Sequence, residues 1–207
     1  VNEASRDKPL DVLVSKAQPD TTFDPRPLAL GQTYYWRVDE VNDANAASPW
    51  KGIVFRFTVA DYVVVDDFES YNDLDETEEG SHLIYKTWSD GFDNPTANGG
   101  VIGYTEGESF MQKNTVHGGK QSVPVAYDNT VAPYSEVFVN PADLPVGSDW
   151  ATDGFGTLSL WFYGGLFNGP EQMYVKLNGV KVPYSGPATD LQQGSWHSWE
   201  IPLADFH

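Results

Sequence analysis

The chain has 207 residues, with 30 Asp and Glu against 12 Lys and Arg, a net charge of −18 and no cysteine. That charge argues against nucleic acid and anionic membrane as partners, because their phosphates would be repelled. No apolar run approaches the roughly 20 residues a membrane-spanning helix needs, and disulfides and thiolate metal sites are excluded. Strand signals then recur along the chain. Residues 32–41 alternate, with Tyr34, Trp36 and Val38 on one face, and residues 53–59 repeat the pattern with Ile53, Phe55, Phe57 and Val59. The β-branched run 62–68 predicts another strand. Further strands are predicted at 120–127, 135–139, 157–163, 173–177, 180–184 and 196–202. Asn178-Gly179 joins two of them as a hairpin turn, since both residues tolerate positive φ. No window of a dozen residues carries a helical apolar repeat.

The charge is uneven. Residues 61–110 hold 13 acids and 1 base, and residues 1–60 hold 8 acids and 7 bases. This shift, with the end of the first alternating pair, predicts a domain boundary near Ala60–Tyr62. The densest acidic stretch is Asp73, Asp75, Glu76, Glu78 and Glu79. It reads as a solvated loop or as oxygen donors for a hard cation. EF-hand spacing fails, because with Asp73 as position 1 the required glycine is Glu78 and position 12 is Ile84.

The run from Leu30 to Asn42 (LGQTYYWRVDEVN) resembles the penultimate strand of a fibronectin type III domain, with Tyr34 at the corner-tyrosine position and 50–59 as the final strand. About 60 residues precede the boundary, against the ~100 of such a sandwich, so this domain is read as partial. Val65–Tyr71 (VDDFESY), Val116–Val125 (VHGGKQSVPV) and Thr157–Tyr163 (TLSLWFY) resemble carbohydrate-binding modules with the galactose-binding-like jelly roll, as in large secreted proteins of planctomycete-like bacteria. The expected fold is therefore all-β: a partial fibronectin type III-like sandwich over 1–60, then a jelly-roll β-sandwich over 61–207 that lacks its last strand.

The resemblance implies a structural calcium ion held by Glu69, by the backbone carbonyl of Lys120 and by Asp67 as a neighbouring candidate. It also implies an extracellular or cell-surface location and a polysaccharide or glycan as partner. Sugars offer C–H faces to aromatics and hydroxyls to polar groups. Aromatics in polar, turn-rich surroundings are therefore the candidate contacts: Trp88, Asp90, Phe92 and Tyr104, with Tyr134 and Phe167 as weaker ones. His117, beside a Gly-Gly turn, reads as structural. Trp161 and Tyr163 alternate with Leu160 and Phe162, so one of the two pairs faces the core. The nucleophile, zinc and phosphate-loop motifs (G-x-S-x-G, H-E-x-x-H, G-x-x-x-x-G-K-[ST]) are absent from the sequence. Glu106 and Glu108 lack the cleft that glycosidase carboxylates flank. The chain is thus expected to be a noncatalytic binding module. The alternative is a structural subunit of a filament or surface appendage, pairing through open sheet edges with copies of itself or with neighbouring domains.

Overall fold

The computed structural model describes residues 15, 18–25, 28–104, 109–150 and 154–207. The chain divides into two units, Val1–Val63 and Val64–His207. Among the described residues the regular structure is strands, one four-residue helix and short 3-10 turns, so the fold is all-β. Among the described residues the strands form four two-stranded antiparallel sheets.

In the first unit, β1 (Thr33–Trp36) pairs with β2 (Phe55–Thr58) in a register that sets Tyr34 opposite Phe57 and Trp36 opposite Phe55. The pair is shorter than the sequence alternation. Beyond Trp36, a bridge between Glu40 and Trp50 continues the pairing. The Tyr34 hydroxyl accepts the Ala29 N–H at 2.9 Å, a bond back toward the preceding corner.

The second unit departs from expectation at its start, where residues 62–68 form no strand. Two consecutive aspartates explain the difference. Asp66 Oδ1 accepts the Phe68 N–H at 2.8 Å and Asp67 Oδ1 accepts the Glu69 N–H at 3.0 Å. These side-chain turns take donors that a ladder would use. Phe68 is left in the left-handed region at φ 60. Asp66 Oδ2 also accepts from the Tyr71 hydroxyl at 2.7 Å and the Trp88 indole N–H at 2.9 Å. Around this carboxylate Tyr71, Ile84, Ile102 and Met111 form a buried core. Ile84 opens the helix α1 (Ile84–Thr87), and Ile102 comes from β3 (Gly100–Ile102), which pairs with β4 (Val125–Tyr127). Burial, then the bond to Asp66, pushes the Tyr71 phenol up to about 12.

Of the strand expected at 120–127, only β4 and a bridge from Ser122 to Gln112 are present. Pro124 interrupts it, because it has no N–H to give. The strand expected at 135–139 is reduced to a bridge between Phe138 and Ser89. Here a side chain stands in for a neighbouring strand. Asn98 Nδ2 donates to the Glu136 carbonyl at 2.8 Å, and Asn98 Oδ1 accepts the Glu136 N–H at 2.8 Å.

The C-terminal part follows its pattern closely. β5 (Thr157–Tyr163) pairs along its whole length with β8 (Trp196–Pro202), and Leu158, Leu160 and Phe162 lie opposite Ile201, Trp199 and His197. Between them in sequence, β6 (Tyr174–Leu177) and β7 (Val180–Pro183) form the hairpin. Its turn residues Asn178 and Gly179 have φ 49 and 85, as the sequence predicts. Val175, Leu177 and Val182 from the hairpin pack against a second core built on Trp199, Ile201 and Phe206.

The other hairpin face meets Glu136. Its carboxylate accepts from the Tyr174 hydroxyl at 2.7 Å and is paired with the ammonium groups of Lys176 and Lys181. Burial alone would raise the Glu136 carboxyl, but Lys176, Tyr174 and Lys181 outweigh it and hold it below the ordinary value. A depressed carboxyl adds stability above its unfolded-state pKa and loses it as pH falls through the folded value. Glu136→Gln is therefore expected to cost about 1–2 kcal/mol at pH 7, the worth of one charged hydrogen-bonded group. The deficit should shrink as pH falls below the ordinary glutamate range (about 4.3) and through the lowered folded value, where the wild-type carboxylate also protonates. Urea unfolding of both proteins at pH 7 and below that range checks this.

Candidate binding surface

The outer face of the β5–β8 sheet is exposed where the inner face is core. Register places four cross-strand pairs on it: Thr157 with Pro202, Ser159 with Glu200, Trp161 with Ser198, and Tyr163 with Trp196. One end is aromatic and the other polar. Trp161 is 48% exposed and Tyr163 43% exposed. Tyr163 and Trp196 meet edge to face at 5.5 Å between centroids. At the polar end the Ser159 hydroxyl donates to Glu200 Oε1 at 2.6 Å. The His117 imidazole lies flat on Trp161, centroids 3.9 Å apart and planes 20° apart, and meets Trp196 edge-on at 5.4 Å. Three indole and phenol rings and one imidazole thus form a continuous aromatic platform beside two serine hydroxyls and a carboxylate.

His117 reaches this platform because its turn is held from behind by Glu69. The two Glu69 oxygens accept the Lys120 N–H at 2.9 and 3.0 Å, and Oε1 also accepts the Gln121 N–H at 3.2 Å. Gln121 Nε2 donates to the Phe68 and Tyr71 carbonyls. Gly119, at φ 74, has no room for a side chain, since a Cβ there would overlap the Glu69 carboxylate.

Glu69 and Lys120, expected as cation ligands, are therefore brought together, but through the Lys120 N–H rather than its carbonyl. Asp67 is turned to the Glu69 N–H. As placed, the Glu69 carboxylate is engaged by the Lys120 and Gln121 amides and Asp67 by its own turn. Calcium takes 6–8 oxygens, and the Glu69 carboxylate is already committed to amides. Among the described residues no group of three or more His, Cys, Asp or Glu is placed to hold a metal ion. In the acidic loop, Asp73 receives the Ser109 hydroxyl, the Phe110 N–H and the Lys113 ammonium. Asp75 accepts from Thr77, and Glu76 pairs with Lys86 at 2.8 Å.

Two of the sugar contacts expected near residue 90, Trp88 and Asp90, have polar atoms engaged inside the fold. The Trp88 indole N–H is committed to Asp66, and its ring packs on Phe68 with centroids 5.7 Å apart. Asp90 accepts the Phe92 N–H at 3.0 Å and the Ile102 N–H at 2.9 Å, so it braces its own turn against β3. Phe92 and Tyr104 are exposed, at 63% and 54%, and no ring contact joins them. Glu106 and Glu108 lie outside the described residues. Of the weaker candidates, Tyr134 is 42% exposed, and Phe167 is fully exposed on a turn braced by Asn168 and Gln192.

A serine, a histidine and an aspartate also converge near the platform. Ser195 Oγ lies 3.0 Å from His197 Nε2. His197 Nδ1 is 3.8 Å from Asp190 Oδ2, beyond hydrogen-bond range. Asp190 instead accepts from the Tyr184 hydroxyl at 2.7 Å and from Gln193 Nε2 at 3.0 Å. Its carboxylate supports the second core rather than orienting an imidazole.

Sequence reasoning reached the platform's strands but not its face. The missing signal was parity: Thr157 and Ser159 share the face of Trp161 and Tyr163, so the aliphatic set with Leu158 and Leu160 is the buried one. No family model, curated protein or solved structure matches the chain. No helix among the described residues is long and apolar enough to cross a membrane.

Proposed function

We propose that the chain is a noncatalytic carbohydrate-binding module, secreted or displayed at a cell surface, that grips a polysaccharide on the outer face of β5 and β8. The observation that carries this reading is the pair of outward rings, Trp161 at 48% and Tyr163 at 43% exposure, on a strand whose alternate residues are core. Ring faces attract the C–H face of a pyranose, and Ser159, Ser198 and Glu200 supply hydroxyl partners on the same surface. The acidic surface favours a neutral or basic glycan over a sulfated or uronate polymer.

A glycan array followed by titration calorimetry tests the reading. Trp161→Ala is expected to weaken binding roughly 10- to 100-fold, the scale of a central aromatic contact. The inner-face ladder that sets the fold should survive. Unchanged affinity in this variant, or a blank array, rejects the platform.

The calcium implied by the resemblance is a proposal on that ground alone. Binding would exchange the amide contacts of Glu69 for the cation. A rise in Tm of several degrees on adding millimolar calcium to chelator-treated protein supports it, and identical melting curves remove it.

A further inference from the structure

The β1–β2 ribbon carries an apolar face of its own, independent of the sugar platform. Register puts Tyr34 against Phe57 and Trp36 against Phe55, and both pairs stack, with centroids 5.8 and 4.8 Å apart. Val38 and Ile53 extend the same face by parity. Trp36, Phe55 and Phe57 are 49%, 45% and 41% exposed, and Val38 and Ile53 are 68% and 72% exposed. The reverse is mixed, with Tyr35 and Val54 exposed at 52% and 55% among polar groups. There Thr33 and Thr58 share a hydrogen bond at 2.7 Å, and Arg37 pairs with Asp39 at 2.9 Å.

We infer that this face packs against the same face of a second copy of the chain, about a two-fold axis. Three observations favour a copy as the occupant. The wet part of the three aromatics and two aliphatics is roughly 100 Å² each, so two faces bury about 1,000 Å², the threshold of a specific interface. The face is ordered as the Trp36–Phe55 stack between two further apolar pairs. A two-fold rotation lays such a row onto itself without setting a charge against an apolar group. Charge also permits it. Residues 1–63 hold 9 acids and 7 bases, net −2, whereas residues 64–207 hold 21 acids and 5 bases, net −16. The unit that carries this face therefore adds little repulsion of its own. A two-stranded ribbon is marginal in water, so covering one side stabilises it directly.

Sedimentation equilibrium of the full chain from about 1 to 200 µM tests the inference, with a dimer of micromolar Kd as the expected result. Val38→Lys and Ile53→Lys change exposed positions outside the β1–β2 ladder, so circular dichroism and unfolding midpoint should match the parent. Each should raise the dimer Kd at least tenfold. A monomer at every concentration overturns the inference and leaves the face to an unrelated β-layer. A dimer indifferent to both lysines overturns it by placing the contact elsewhere. Neither result bears on Trp161, whose sugar binding is measured separately.

Discussion

Asp66→Ala is expected to cost about 2–4 kcal/mol, the worth of leaving several donors without their charged acceptor and a large fraction of a domain's total stability. One carboxylate serves three donors from separate points of the chain: the Phe68 N–H, the Tyr71 hydroxyl and the Trp88 indole. Removing it leaves the hydroxyl of Tyr71, a residue only 5% exposed, without its acceptor. It also unpins Phe68 from a backbone region that non-glycine residues enter at a cost. Chemical unfolding measures the loss, and a change under 1 kcal/mol refutes the account. Burial of Tyr71, together with the same bond, makes a prediction at high pH. Tyr71 titrates near 12 in the fold against 10.0 free, so its contribution is complete below pH 10 and vanishes as pH rises through 12. Alkaline unfolding should therefore be less steep in the Asp66→Ala protein.

Gly119→Ala should have the second-largest effect, and it should reach the binding surface. The left-handed backbone alone penalises alanine by about 1–2 kcal/mol. The new methyl also displaces the Glu69 carboxylate from the Lys120 and Gln121 amides. Together these lower Tm by roughly 5–10 °C for a unit of this size. Because His117 sits two residues upstream and lies on Trp161, affinity for the glycan should fall with stability. Gly118→Ala is the matched control: that position has open space around it, and the substitution should change neither quantity. Equal effects at the two glycines would show that the Glu69 clamp is not what holds the turn.

The strands that could be read from the sequence are those whose partners are other strands. β5, β8 and the β6–β7 hairpin show their alternation and their Asn-Gly turn openly, because pleat and burial act on every residue in them. Residues 62–68 and 135–139 carry the same β-branched composition and are not regular strands. Asp66, Asp67 and Asn98 take up the backbone groups, and composition does not reveal where a side chain will compete with a ladder. The site was legible in the same uneven way. Trp88 sits among polar neighbours in the sequence, yet its one polar atom is turned inward to Asp66. Glu69 and Lys120 meet across some fifty positions as carboxylate and amide. The platform depends on which parity of β5 is buried, and Thr157 and Ser159 answer that only when weighed as a face.

β5 and β8 are neighbours in space but stand at opposite ends of the C-terminal third, with the β6–β7 hairpin made between them. Their pairing cannot start until translation has passed Pro202. The face proposed to bind glycan is thus assembled only when β8 closes onto β5, after the hairpin between them has been made. Cleavage between the hairpin and β8 is expected to abolish that proposed binding even if both fragments keep their local turns.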